Sequence, residues 1–213
     1  MEMTRDYLEW AADACRRIDA GQVERLIGLL FEARDNGQRI FIIGNGGSAA
    51  TASHFCEDLG KCTLSNLEDP VRFKVISLTD NLPYVTAWAN DNGYEVVFEQ
   101  QLRNIGEPGD LVIAISASGN SPNIVKALEY ATEADMKTVG MTGFSGGKVK
   151  EMSNCRVHVE IPVPESNRWN VRSSTADYGM IESMHMIIVH MVIAQIIERI
   201  KQQTEHIAGV ETP

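Results

Sequence analysis

The chain has 213 residues, enough for one domain whose core needs neither disulfides nor a structural metal to fold. At 44% hydrophobic and 23% charged residues, a largely disordered chain is excluded. Nineteen basic against 29 acidic residues give a net charge of −10, which speaks against a general nucleic-acid or anionic-membrane surface but leaves room for one small anion held by backbone amides.

Residues 3 to 35 read as helix. Leu8, Ala11, Ala12 and Cys15 recur at helical spacing, and after Gly21 the set Val23, Leu26, Ile27 and Leu30 repeats it, ending at Asn36-Gly37. Arg39 to Gly44 is an apolar, β-rich run closed by glycine, and a helix from about Ser48 to Gly60 follows. Val71 to Leu78 is a second strand. Asn81 to Asn104 forms helix, interrupted near Asn90-Asp91-Asn92-Gly93. Asp110 to Ile115 is a third strand, followed by helix from Ser121 to Ala134. Thr138 to Thr142 and Arg156 to Ile161 complete the strands, and a long helix runs from Ala176 to Gln203.

Strands without polar alternation, each followed by a helix, imply α/β architecture: a five-stranded parallel sheet in a three-layer αβα sandwich. The expected organisation is an N-terminal helical arm over 1–36, one domain over 37–205 and a tail over 206–213. The stretch 162–175 reads as a structured surface loop. The first ten residues are acidic and polar, without the apolar segment of a secretory signal. Cys15, Cys56, Cys62 and Cys155 show neither a CxxC pair nor a close-spaced framework, as expected of reduced thiols in a cytoplasmic protein.

In such sheets ligands bind beyond the carboxyl ends of the strands. After the first strand comes Gly44-Asn45-Gly46-Gly47-Ser48, a glycine turn opening directly into a helix whose first N–H groups favour an anion. It has neither the GxGxxG nor the P-loop spacing, so a nucleotide site is poorly supported. After the third strand comes Ser116-Ala117-Ser118-Gly119-Asn120-Ser121-Pro122. Hydroxyls, amides and a helix start can hold a phosphate without lysine. Each loop also has a plain reading, in which Ser48 and Ser121 cap their helices.

Two helices carry candidate metal or acid–base groups. His54 and Asp58 are four apart, with Glu57 the competing partner, and Glu182 and His190 are eight apart. A carboxylate and an imidazole from each helix would make a mixed N/O ligand set for Zn²⁺. His185 points about 140° away from His190 around the helix, and His158 and His206 read as structural. Spacing alone does not choose between ligands and ordinary helical residues.

GNGGSA before a helix containing His-Phe, then ISASGNSPN after an apolar strand, resemble the sugar isomerase (SIS) domain and, within it, the phosphoheptose isomerases. Asn90-Asp91 and the MTGFSGGK stretch are also in register. The resemblance implies a ketose–aldose isomerase acting on sedoheptulose 7-phosphate through an enediol(ate). Asp58 and His190 would do acid–base work, and His54, Asp58, Glu182 and His190 would hold Zn²⁺. Ser48, Ser116, Ser118 and Ser121 would hold the phosphate, while Asn45, Gly46, Gly47, Asn90 and Asp91 would contact the sugar. It also implies a homotetramer.

Three residues depart from the family pattern: Asp58 stands for glutamate, Glu182 for glutamine and Ala117 for threonine, and the approach to Glu182 is about three residues longer. These departures keep two other readings open, a non-catalytic SIS protein that binds a partner such as a replication initiator or senses a phosphosugar, and an isomerase of another phosphosugar.

Overall fold

The structure, a computed structural model, describes residues 2–162 and 175–210, and the side chains among them except those of 175, 176 and 206–210. The loop expected at 162–175 therefore lies almost wholly outside the described residues, as does the His206 side chain. The elements in order are α1 (Glu2–Arg16), α2 (Ala20–Asp35), β1 (Arg39–Gly44), α3 (Gly47–Glu57), β2 (Lys74–Ser77), α4 (Leu82–Asn92), α5 (Glu99–Ile105), β3 (Leu111–Ser116), α6 (Pro122–Glu133), β4 (Lys137–Thr142), α7 (Gly147–Met152), β5 (Cys155–His158) and α8 (Thr175–Val210).

The five strands are all parallel, in the order β2-β1-β3-β4-β5. Because successive strand residues face opposite ways, the sheet feeds two cores. Ile40, Ile42, Leu111, Ile113 and Ile115 pack with α1, α2, α3 and α8 on one face. Phe41, Ile43, Val112 and Ala114 pack with α5, α6 and Val149 of α7 on the other. The α/β sandwich expected from the strand pattern is the observed fold.

Local departures have local causes. α2 buries the expected Val23, Leu26, Ile27 and Leu30, but α1 buries Trp10 and Ala14 and leaves Leu8 and Ala12 exposed. Trp10 turns inward because its Nε1 donates to the Pro162 carbonyl at 2.7 Å. β2 is four residues, shorter than expected, as an edge strand paired only with β1. The helix expected over 48–60 ends at Glu57 and continues as a π-helical turn, Asp58–Cys62. By length and composition α8 would suffice to cross a membrane, yet half of its apolar window is buried in the domain. It serves as a core helix, with Ile188, Val189, Val192 and Ile196 packed on the sheet side.

Candidate active site

β1 and β3 are neighbours, while their helices α3 and α6 lie on opposite faces. The loops leaving their carboxyl ends therefore diverge and open a crevice at a topological switch point. A pocket of about 220 Å³ fills it, lined by Asn45, Gly46, Gly47 and Ser48 from the first loop, Ser116, Ala117, Ser118 and Ser121 from the second, and Tyr178 and Glu182 from α8. Among the described residues no lysine or arginine lines it.

The hydroxyls are not spent on capping. The residue that opens α3 is Gly46, at φ 53, a conformation that favours glycine, so Ser48 sits inside the helix start. Ser121 opens α6, but its side chain makes no capping hydrogen bond. Ser116 Oγ accepts from Gly119 N–H at 3.2 Å and Ser118 Oγ from Asn120 N–H at 3.3 Å, which curls the second loop around the pocket. Asn45 and Asn123 exchange reciprocal 2.9 Å side-chain bonds, and the Tyr94 hydroxyl donates to Asn45 Oδ1 at 2.9 Å. Asn45 thus ties the two loops together. Asn123, buried in the first turn of α6, is a positioning residue that no sequence periodicity marks.

Glu182 lies where any side chain on Gly47 would run into its carboxylate, beside the anion-favouring start of α3. Farther along the same pair of helices, His54 and His190 converge. Their Nε2 atoms are 3.0 Å apart, the rings meet edge-on with centroids 5.1 Å apart, and Asp58 Oδ2 lies 3.3 Å from His54 Nε2. Ligand atoms of His54, Asp58 and His190 all fall within 4.8 Å of one another, whereas Glu182 stands outside this triplet, in the pocket. The π-helical turn carries Cys62 to 3.5 Å from Asp58 Oδ1; the thiol is raised by burial, then by its bond to Asp58 and the nearby negative charge.

The remaining candidates separate from the site. Asn90 and Asp91 are exposed at the end of α4 and bond each other at 2.7 Å, outside the pocket lining. His185 is buried, with Nε2 3.3 Å from the Thr142 carbonyl, and His158 Nδ1 meets Thr142 Oγ1 at 3.0 Å. Burial holds both imidazoles below their ordinary value, His185 down to about 4.

A hydroxyl-lined pocket at a switch point, with an imidazole pair two helical turns away, defines an α/β protein suited to a small anionic ligand. Residues 6–143 match the SIS domain. A probable phosphoheptose isomerase of Thermoplasma volcanium is 34% identical over 192 residues, covering 90% of this chain and 89% of that one. A phosphoheptose isomerase of Helicobacter pylori is 36% identical over 83% of each chain. The solved phosphoheptose isomerase of Neisseria gonorrhoeae superposes with a TM-score of 0.74 at 28% identity, covering 92% of this chain and 96% of that one. The chain belongs to the SIS-domain family, among the phosphoheptose isomerases, and is a sugar-phosphate isomerase of the aldose–ketose class.

Proposed function

We propose that the protein interconverts sedoheptulose 7-phosphate and D-glycero-D-manno-heptose 7-phosphate. The observation that carries this reading is the placement of the two half-sites on shared helices. Ser48 and His54 are six residues apart on α3, about 9 Å of rise, and Glu182 and His190 eight apart on α8, about 12 Å. A sugar phosphate anchored at the serine loops would lie along both helices with its far end at the imidazoles.

The serines and the helix starts bind the phosphate, and that remote anchoring orients the reacting carbons. Isomerisation moves a proton between adjacent carbons and so needs a base for the C–H and an acid for the oxygens. Asp58 and His190 share that work, with Asp58 Oδ2 fixing the His54 ring. Two ring nitrogens and a carboxylate oxygen aimed at one point, with no more than one proton between the nitrogens in the neutral state, are a donor set that suits Zn²⁺. His54, Asp58 and His190 would hold the ion, and Glu182, the expected fourth ligand, would have to swing from Gly47 to join them. The bound ion would supply positive charge for the developing oxyanion. The working protein is a cytoplasmic homotetramer, a setting its four free cysteines suit.

His190→Ala is expected to abolish ketose-phosphate turnover while leaving the melting temperature of the metal-free protein within a few degrees. Chelator should lower the melting temperature of the wild type and not that of the variant, because a native-state ligand stabilises. Full turnover by the variant removes His190 from the reaction. A screen of ketose 5-, 6- and 7-phosphates tests the substrate: preference for a shorter chain overturns the heptose assignment, and no turnover at all favours a binding protein.

A further inference from the structure

Tyr178 stands one helical turn before Glu182 on α8 and forms part of the wall of the anion pocket. Its ring is met edge-on by Phe144, with centroids 4.8 Å apart. Phe144 follows β4 and adopts φ 47; among the described residues only Asp135 shares a positive φ without being glycine. Aspartate tolerates that region, whereas a bulky side chain there is a strained outlier. Gly146 and Gly147, where the same loop enters α7, also take positive φ, as glycine does freely. Phe144 remains 43% exposed as a residue, so core burial does not account for the strained conformation. The turn closed by the Gly146 N–H to Gly143 carbonyl bond at 2.7 Å holds Phe144 in this conformation, and its ring braces Tyr178 at the pocket.

Tyr178 is about 18 Å along α8 from His190 (twelve residues), too far to serve the reacting carbons, yet it borders the phosphate end directly. In a pocket lined by hydroxyls and a carboxylate, it presents the one aromatic face among the described residues. Such a face suits the C–H side of a sugar chain, while polar groups fix the anion.

We propose that Tyr178, braced by Phe144, is a specificity-determining residue that seats the sugar carbons next to the phosphate. The assignment rests on the phosphosugar reading of the pocket. Tyr178 touches substrate and Phe144 acts through it, as a positioning residue. Contact at the phosphate end is made equally in ground and transition states, so its loss raises KM more than it lowers kcat.

The test is calorimetric titration of ketose 5-, 6- and 7-phosphates and of inorganic phosphate into wild type, Tyr178→Ala, Tyr178→Phe and Phe144→Gly, with melting temperatures and steady-state kinetics alongside. Tyr178→Ala should weaken the preferred ketose phosphate about threefold to tenfold while inorganic phosphate binds as before, and Tyr178→Phe should restore the affinity. Phe144→Gly should weaken the sugar phosphate and raise KM although its melting temperature does not fall, since glycine relieves the strained φ. A merely structural ring pair would move stability and leave KM alone. Equal ketose-phosphate affinity in wild type and Tyr178→Ala, or an equal loss for sugar phosphate and inorganic phosphate, overturns the proposal. If the wild type binds no ketose phosphate more tightly than inorganic phosphate, the phosphosugar reading fails and the assignment falls with it. Preference for a 5- or 6-phosphate overturns only the heptose assignment, and Tyr178 is then judged on that ligand.

Discussion

Glu182 places a negative charge at the mouth of a pocket whose other features attract anions. The first amides of α3 and the dipole behind them favour a phosphate, and the carboxylate lies against Gly47 at that same helix start. Two like charges about 4 Å apart repel by about 1 kcal/mol even with the full screening of bulk water, which sets a lower bound at a partly solvated site. Glu182→Gln keeps an oxygen donor and the side-chain length while removing the charge. It should therefore tighten inorganic phosphate about fivefold, measured by calorimetry at neutral pH; unchanged affinity would place the Glu182 charge outside the anion's reach. The hydroxyls of both loops were legible in the sequence because two glycine- and serine-rich turns at the carboxyl ends of two strands of one sheet are harder to explain as helix caps than either is alone. Tyr178 and Asn123 were not, since a tyrosine in a first helical turn or an asparagine after proline carries no periodic signal. Their roles exist only once β1, β3 and α8 meet.

At the scale of elements, α8 shows what a single helix can be made to do on two sides. Its inner side buries His185, whose Nε2 reaches the Thr142 carbonyl while Nδ1 has no partner among the described residues. Burial is the main cause of its low pKa of about 4, against an ordinary 6.5, with the Thr142 carbonyl opposing and His158 adding to the shift. The sign follows directly. Between these values the unfolded chain binds a proton that the folded chain refuses, so stability is complete above about pH 6.5 and falls as pH drops toward 4. His158, lowered by burial and by Lys150 against the pull of Glu160, acts the same way, and Asp177, raised by burial, acts in the opposite sense. The His185 share is on the order of 3 kcal/mol across that window. Urea midpoints from pH 7 to pH 4.5 should fall steeply for wild type and more gently for His185→Gln; parallel slopes would show that His185 takes up its proton in the folded chain as readily as in the unfolded one. Periodicity revealed that α8 is a long apolar helix, and strand composition revealed the parallel sheet. It misjudged α1, which has apolar residues on two faces, because only the neighbouring elements decide which face is covered. It missed α7, whose six residues are too few to display a helical repeat, and the π-helical turn at Asp58, which depends on backbone pairing and has no composition of its own.

The whole molecule is longer on one axis than its sheet requires. α8 has 36 residues, about 54 Å, while the longest strands have six, about 20 Å. A helix that overhangs its sheet needs other cover: α1 and α2 of the same chain pack against α8, and what they leave exposed faces water or another copy. Its outer side carries Ile187, His190, Ala194 and Ile197 in an exposed stripe, with the two isoleucines 39% and 41% exposed. The two isoleucines flank His190 on one helical face, and a neighbouring copy docked there would bury both and also close over the His54–His190 pair. Light scattering at micromolar concentration should therefore give a tetramer for the wild type. Ile187→Lys combined with Ile197→Lys should shift it to smaller species, because lysine resists burial in an apolar interface. Turnover should fall at least tenfold with the shift, although His54, Asp58 and His190 are untouched. A wild-type monomer would remove the assembly, and a dissociated double variant with full turnover would show that one subunit completes the site by itself.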